Sequence, residues 1–193
     1  MREARRFFAA AHHSVKGFLV TGGFNGIARL SSTEITVDGI TFADFTPLPF
    51  AVNDHCLVAL DEDDDGDFFL GGGDIDSAPH NKRAFVHRGS QWVEISEMPT
   101  ARQGKKPTLE LQNELSLMLC LAGLECGPLR ASPGGRVEKI VAAGGRETNN
   151  AAGWTASIEV EIYDITSNTW ETGGKFLAKR HAHLFPKKRA MAL

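Results

Sequence analysis

Asp61, Asp63, Asp65 and Gly66, in the stretch LDEDDDGDFFLGGGD, match the first half of a calcium-binding loop. The twelfth position of such a loop carries a bidentate glutamate, and here that position is Gly72, with strand-like apolar runs on either side in place of helices. Calcium binding over 61–67 is therefore not expected. Gly71, Gly72 and Gly73 could cradle a phosphate, but no Lys-Ser/Thr pair follows them and no helix opens there. His181 and His183 would share one face of a strand, as a metal pair requires, yet no third ligand accompanies them and the expected role is structural. Glu159 and Glu161 alternate along a strand and read as a solvated face. No catalytic, cofactor-binding or metal-ligating residue is assigned, and no cofactor is expected.

The bulk properties narrow the partners. The chain has 193 residues, 42% of them hydrophobic, enough for a sizeable core, and a net charge of −3 with acids and bases interspersed. No basic face points to nucleic acid, and the tail Lys187, Lys188, Arg189 reads as a solvated end. The longest apolar run, 115–124, is too short to span a membrane, and the apolar stretch after the basic start is too short for a signal peptide. Three cysteines, Cys56, Cys120 and Cys126, form no CxxC pair and leave an odd count, which argues against a disulfide framework and a zinc site. A reduced, cytoplasmic compartment is the expectation, with Cys56 as a small core residue.

The glycines belong to a pattern that recurs. Sliding the chain by 50 residues sets GFLVTGG onto DFFLGGG, so that Gly22 and Gly23 meet Gly72 and Gly73, Phe42 meets Trp92, and Pro49 meets Pro99. A third copy, KIVAAGG, closes on Gly144 and Gly145, and Tyr163, Trp170 and Arg180 follow Phe85, Trp92 and Arg102 by 78 residues. Each copy reads as β. In SIEVEIYDITSNTW, Ile158, Val160 and Ile162 alternate with the two glutamates as a strand with one buried face, and Asp164 to Asn168 supply turn chemistry. FFLGG lacks alternation, as a strand buried on both faces should. The opening stretch is then a hairpin: HCLVAL runs up, the acidic residues turn, and FFLGG returns.

Units of about 50 residues with short strands, twin glycines and a downstream aromatic resemble the blades of a kelch-repeat protein. The resemblance rests on Gly22, Gly23, Gly72, Gly73, Gly144 and Gly145, on Tyr163 with Trp170, on Trp92, and on Phe42 as an aromatic stand-in. It implies an all-β, kelch-type β-propeller segment: three four-stranded blades over 5–49, 50–103 and 126–180, and part of a fourth over 181–193. His12, His13 and His55 read as equivalent positions at blade entries. Residues 104–125 are an insertion in which Leu111, Leu115, Met118 and Ala122 recur at helical spacing. Propellers close with four to eight blades, so the chain is expected to belong to a longer protein or to complete its ring with another chain.

By resemblance, the expected function is non-catalytic binding of a protein partner through propeller loops, as a substrate adaptor of a cullin-type ubiquitin ligase or an actin-associated scaffold. The alternative is a kelch-fold enzyme or a metal-dependent small-molecule-binding propeller. Copper-oxidase relatives need several tyrosines, and Tyr163 is the only one in the chain. Candidate binding loops are 24–31, 74–82 and 146–155, with Arg29, Arg83 and Arg146 as candidate contacts, since arginine is enriched at interface hot spots.

Overall fold

The computed structural model describes residues 1–60, 67–76, 81–103, 124–132, 135–149, 153–157 and 159–175. Among these residues every regular element is a β-strand. Sheet I joins β1 (Ala9–His13), β2 (Gly17–Thr21), β3 (Thr33–Thr36) and β4 (Ala43–Asp44) in sequence order. Sheet II joins β5 (Cys56–Ala59), β6 (Phe68–Gly71), β7 (Ala84–Arg88) and β8 (Gln91–Glu94) in the same way. Sheet III is formed by β9 (Leu124–Arg130), β10 (Val137–Gly144), β13 (Glu159–Asp164) and β14 (Thr169–Lys175). The hairpin β11 (Arg146–Asn149) and β12 (Gly153–Ala156) is inserted between β10 and β13. All pairings are antiparallel. β9 begins inside the stretch read as an insertion, whereas the helical spacing from Leu111 to Ala122, the acidic residues 61–66 and the segment holding His181 and His183 lie outside the described residues.

Local chemistry sets the turns. The Asp38 carboxylate accepts the Ile40 and Thr41 amides between β3 and β4, and Asp164 accepts the Ser167 amide between β13 and β14. Asn168 closes that second turn at φ 54°, a conformation asparagine tolerates. The glycine doublets serve a different need. A Cβ at Gly23 would lie 2.8 Å from the Arg6 carbonyl oxygen, at Gly73 2.9 Å from that of Asn53, and at Gly145 3.0 Å from that of Gln103, so the chain entering each sheet runs against the backbone of its doublet.

Counting from those doublets aligns the sheets residue by residue. Val20, Leu70 and Ala142 are equivalent, and their cross-strand partners are Glu34, Phe85 and Glu161. Two residues along, Phe18, Phe68 and Ile140 pair with Thr36, His87 and Tyr163. The spatial counterpart of Tyr163 is thus His87 and not Phe85, because the third hairpin holds two more residues: Tyr163 pairs with Trp170, seven residues on, and His87 with Trp92, five on. Continuing the Ile35–Ala43 register by one pair sets Phe42 opposite Thr36, the place of the two tryptophans.

Two apolar layers separate the sheets. Leu19, Leu57, Phe68 and Leu70 pack between sheets I and II, while Phe69, Val86, Ile140 and Tyr163 pack between sheets II and III. β6 feeds both layers with alternate residues, so it shows no polar alternation. Each junction repeats one hydrogen bond. Trp92 Nε1 donates to the Thr46 carbonyl at 3.1 Å, and Trp170 Nε1 donates to the Ser96 carbonyl at 2.9 Å, with the two acceptors 50 residues apart. The closest inter-sheet approaches are made by the first strands, β1 to β5 and β5 to β9. These strands converge on a cavity of about 50 Å³ lined by Ala9, Ala10, Leu57 and Glu125 among others.

Cys56 and Cys126 lie across this convergence and form a disulfide. Cys56 lies in the core as expected, but the reading of the odd cysteine count as evidence against a disulfide is corrected. Ala9, Cys56 and Glu125 are equivalent inner-strand positions, as are Ala10, Leu57 and Cys126, so one junction bridges by sulfur positions that the other fills with apolar residues.

Glu161 is likewise not solvated. Its side chain is 2% exposed, and the fully buried Arg102 brings Nη2 to 2.9 Å from Oε1. Arg102 Nη1 donates to the Gly144 and Glu159 carbonyls. Arg5 does the same in sheet I, donating to the Gly22 and Ser32 carbonyls and to Glu34 at 2.6 Å. Sheet II replaces this ion pair by Val52 and Phe85, both buried in one apolar cluster, and caps the Gly72 and Gly73 carbonyls with the Asn81 amide.

The histidines also divide. His13 ends β1 and accepts the Val15 and Lys16 amides, while His55 precedes β5 at the opposite end and meets Thr21 Oγ1 at 2.8 Å, so they are not equivalent positions.

Candidate functional site: the loop end beyond the glycine doublets

The connections after β2, β6 and β10 all leave their sheets at the doublet end, so the loop over 24–31, the described residues 74–76 and 81–82, and the start of the β11–β12 hairpin lie on one side of the three sheets. The first of these loops is stiff. Asn25 Oδ1 accepts the Ile27 and Ala28 amides, the Asn25 amide donates to the Ala28 carbonyl, and Gly26 takes φ 102°. The loop presents Ile27 at 92% exposure, the most exposed large apolar side chain among the described residues. Beside it is an open recess of about 360 Å³ lined by Ala4, Arg5, Arg6, Phe24, Asn25 and Gly26. The Arg6 guanidinium lies 5.1 Å from the Phe24 ring and 5.2 Å from the Phe7 ring, an aromatic platform that holds an exposed cation in place.

The three arginines expected to contact a partner behave differently. Arg29 is committed within the molecule: Nε donates to Asn53 Oδ1 at 2.8 Å, Nη2 to Asp74 Oδ2 at 2.8 Å, and Nη1 to Asp76. It ties the loop of sheet I to that of sheet II. Burial alone would lower its pKa, but Asp74 and Asp76 together hold it above the ordinary arginine value. Arg83 is also engaged. It makes a bidentate pair with Glu94 at 2.7 and 3.1 Å and lies over the Phe50 and Phe85 rings, and the Glu94 hydrogen bonds raise its pKa. Arg146 opens β11, where its backbone pairs with Ala156. The sequence reading named the loop over 24–31 without singling out Ile27, and it missed Arg6; the Asn-Gly turn of the loop was the available signal.

At the opposite end, Asp67, the last acid of the calcium-like run, accepts Lys16 Nζ at 2.6 Å and pairs with His87 Nδ1 at 2.9 Å. Burial pushes its pKa up, but these two partners hold it below the ordinary carboxylate range. Among the described residues no group of three His, Cys, Asp or Glu side chains is placed to hold a metal ion, and no helix is long and apolar enough to cross a membrane. The loop end combines an exposed apolar tip on a hydrogen-bonded loop, a cation held over two rings and an open recess.

Neither the family models nor the curated proteins with which the sequence was compared gave a match.

Proposed function

We propose that the chain is a kelch-type β-propeller segment that binds a protein partner through the loop end beyond its glycine doublets. The observation that carries this reading is the presentation of Ile27 at 92% exposure on a hydrogen-bonded loop, beside the open recess that includes Arg6. A loop already held in one conformation has little ordering entropy left to lose on binding, and an apolar tip next to a cation suits an acidic, partly apolar protein surface. The repeated tryptophan bond at each junction and the convergence of the first strands support the propeller architecture.

Two roles fit such a surface, recruitment of a substrate to a cullin-type ubiquitin ligase and attachment to an actin-associated scaffold. Both imply a cytoplasmic site of action, and the Cys56–Cys126 bond is the feature that weighs against it, since cytosolic thiol pools keep such pairs reduced. Affinity capture with the wild-type chain, Ile27→Asp and Arg6→Glu tests the reading. Partners held by the wild type and lost by both variants, each with an unchanged β-type circular dichroism spectrum, support it. Partners retained by both would refute it.

A further inference from the structure

Among the described residues sheet II is covered on both faces, and the outer faces of sheets I and III are covered only in part. Phe68 and Leu70 face sheet I, Phe69 and Val86 face sheet III, and all four are buried. The positions of sheet III equivalent to Phe69, Ala84 and Val86 are Val141, Val160 and Ile162, which lie on the face turned away from sheet II and are only half-buried. On the outer face of sheet I, Val20 and Glu34 are buried, Glu34 against Arg2, Glu3 and Arg5, much as Arg102 covers Ala142 and Glu161 at the existing junction. Phe18, equivalent to Phe68 and Ile140, is left 40% exposed where those two are 0%. The apolar alternation of β13 is therefore aimed at a layer that the described residues do not supply. It fits a further sheet and not water.

We propose that these two faces dock on each other between two copies of this chain, closing a ring of six sheets about a two-fold axis that runs along the first strands. The inference rests on the propeller reading. Its occupant follows from the junctions already present. Each is made by the Phe69-type face of one sheet and the Phe68-type face of the next, and a second copy supplies both kinds in the required order. The same step repeated between copies covers what is left open on both faces at once, and six lies within the range at which such rings close. An unrelated partner would have to match two different faces with two different surfaces.

Light scattering and sedimentation over a dilution series read the outcome directly. The chain has a mass of 21.0 kDa, and the wild type should sediment as a particle of two chains. Phe18→Glu and Ile162→Glu should each raise the dissociation constant on the order of 100-fold, because a carboxylate is forced into an apolar junction. Ile27→Glu, at the loop end, should leave the mass unchanged. Mixing Phe18→Glu with Ile162→Glu should restore the two-chain particle, because one of its two junctions then has native residues on both sides. The milder Phe18→Ser and Ile162→Thr carry the same test if either glutamate variant fails to fold. A wild type of one-chain mass at every concentration would overturn the proposal, as would a larger or open-ended assembly, a dimer indifferent to both substitutions, or no recovery on mixing. Partner capture by the loop end is read on separate variants, so either idea can fail without the other.

Discussion

Arg102→Met is the most informative single substitution in the core. It removes the guanidinium from Glu161, whose side chain is 2% exposed, and leaves the Gly144 and Glu159 carbonyls without their donor. The pair is poorly satisfied to begin with: Arg102 Nε and Nη2 and Glu161 Oε2 have no hydrogen-bond partner, the 2.9 Å contact being ionic and misaligned. Deleting one partner of a buried ion pair costs about 3–5 kcal/mol, because the remaining charge stays buried and uncompensated. For a chain of this size that corresponds to a fall in Tm of roughly 6–20 °C. Sheet II shows how the same position is filled without charge. Val52 and Phe85 stand in for the ion pair, and Asn81, the counterpart of Ser157, accepts the Arg83 amide as Ser157 accepts that of Glu159, while also capping the doublet carbonyls. The triple variant Arg102→Val, Glu161→Phe, Ser157→Asn should therefore lie within about 1.5 kcal/mol of wild type, since apolar replacement of an entire buried pair is often neutral. Urea unfolding of the wild type, the single variant and the triple variant measures both quantities. A single variant that loses less than about 1 kcal/mol, or a triple variant as unstable as the single one, would refute the equivalence of the sheets and the reasoning built on it.

Arg5→Met should cost less than Arg102→Met, because Glu34 keeps the Arg2 and Glu3 amides as donors; thermal unfolding of the two variants ranks them. The Cys56–Cys126 bond spans 70 residues, so reduction should remove about 4 kcal/mol by chain-entropy reasoning, and peptide mapping without reductant should find these two cysteines linked. Trp92→Phe and Trp170→Phe each delete the donor to the Thr46 or Ser96 carbonyl and should each cost about 1 kcal/mol in urea unfolding. Asp38 is held down to about 2 from an ordinary 3.8 by the Thr41 and Ile40 amides and the Thr36 hydroxyl. Its folded-state pKa lies below the unfolded one, so its contribution is complete above about pH 4 and is lost as the pH falls through about 2. Carboxyl NMR titration should find a midpoint near the lower value, and one near the ordinary value would contradict the turn geometry.

The doublets, the hairpin from Cys56 to Gly71 and the tryptophan positions were legible because they depend on neighbouring residues. Twin glycines are demanded by close backbone approach, a two-residue period by the pleat, and Asn168 by positive φ. Features set by distant partners were not. Period-2 alternation shows that Glu159 and Glu161 share a face, but not that this face carries Glu161 into the layer with Arg102 while Val160 and Ile162 look outward. The ion pairs of Arg29 with Asp74 and of Arg83 with Glu94 were hidden as well, because residue type says nothing of a partner elsewhere in the same chain. The disulfide required the phase of β9 against β10, and β9 begins inside the stretch read as an insertion, so the place of Cys126 opposite Ala142 was hidden.

The central claim is that the three sheets fan around the line of their first strands. Pulsed electron resonance on spin labels at the exposed outer-strand positions Ala43, Gln91 and Thr169 measures this directly. A fan predicts similar distances from 43 to 91 and from 91 to 169, with the distance from 43 to 169 clearly shorter than their sum. A 43-to-169 distance equal to that sum would mean sheets stacked in a straight line, and would contradict the account.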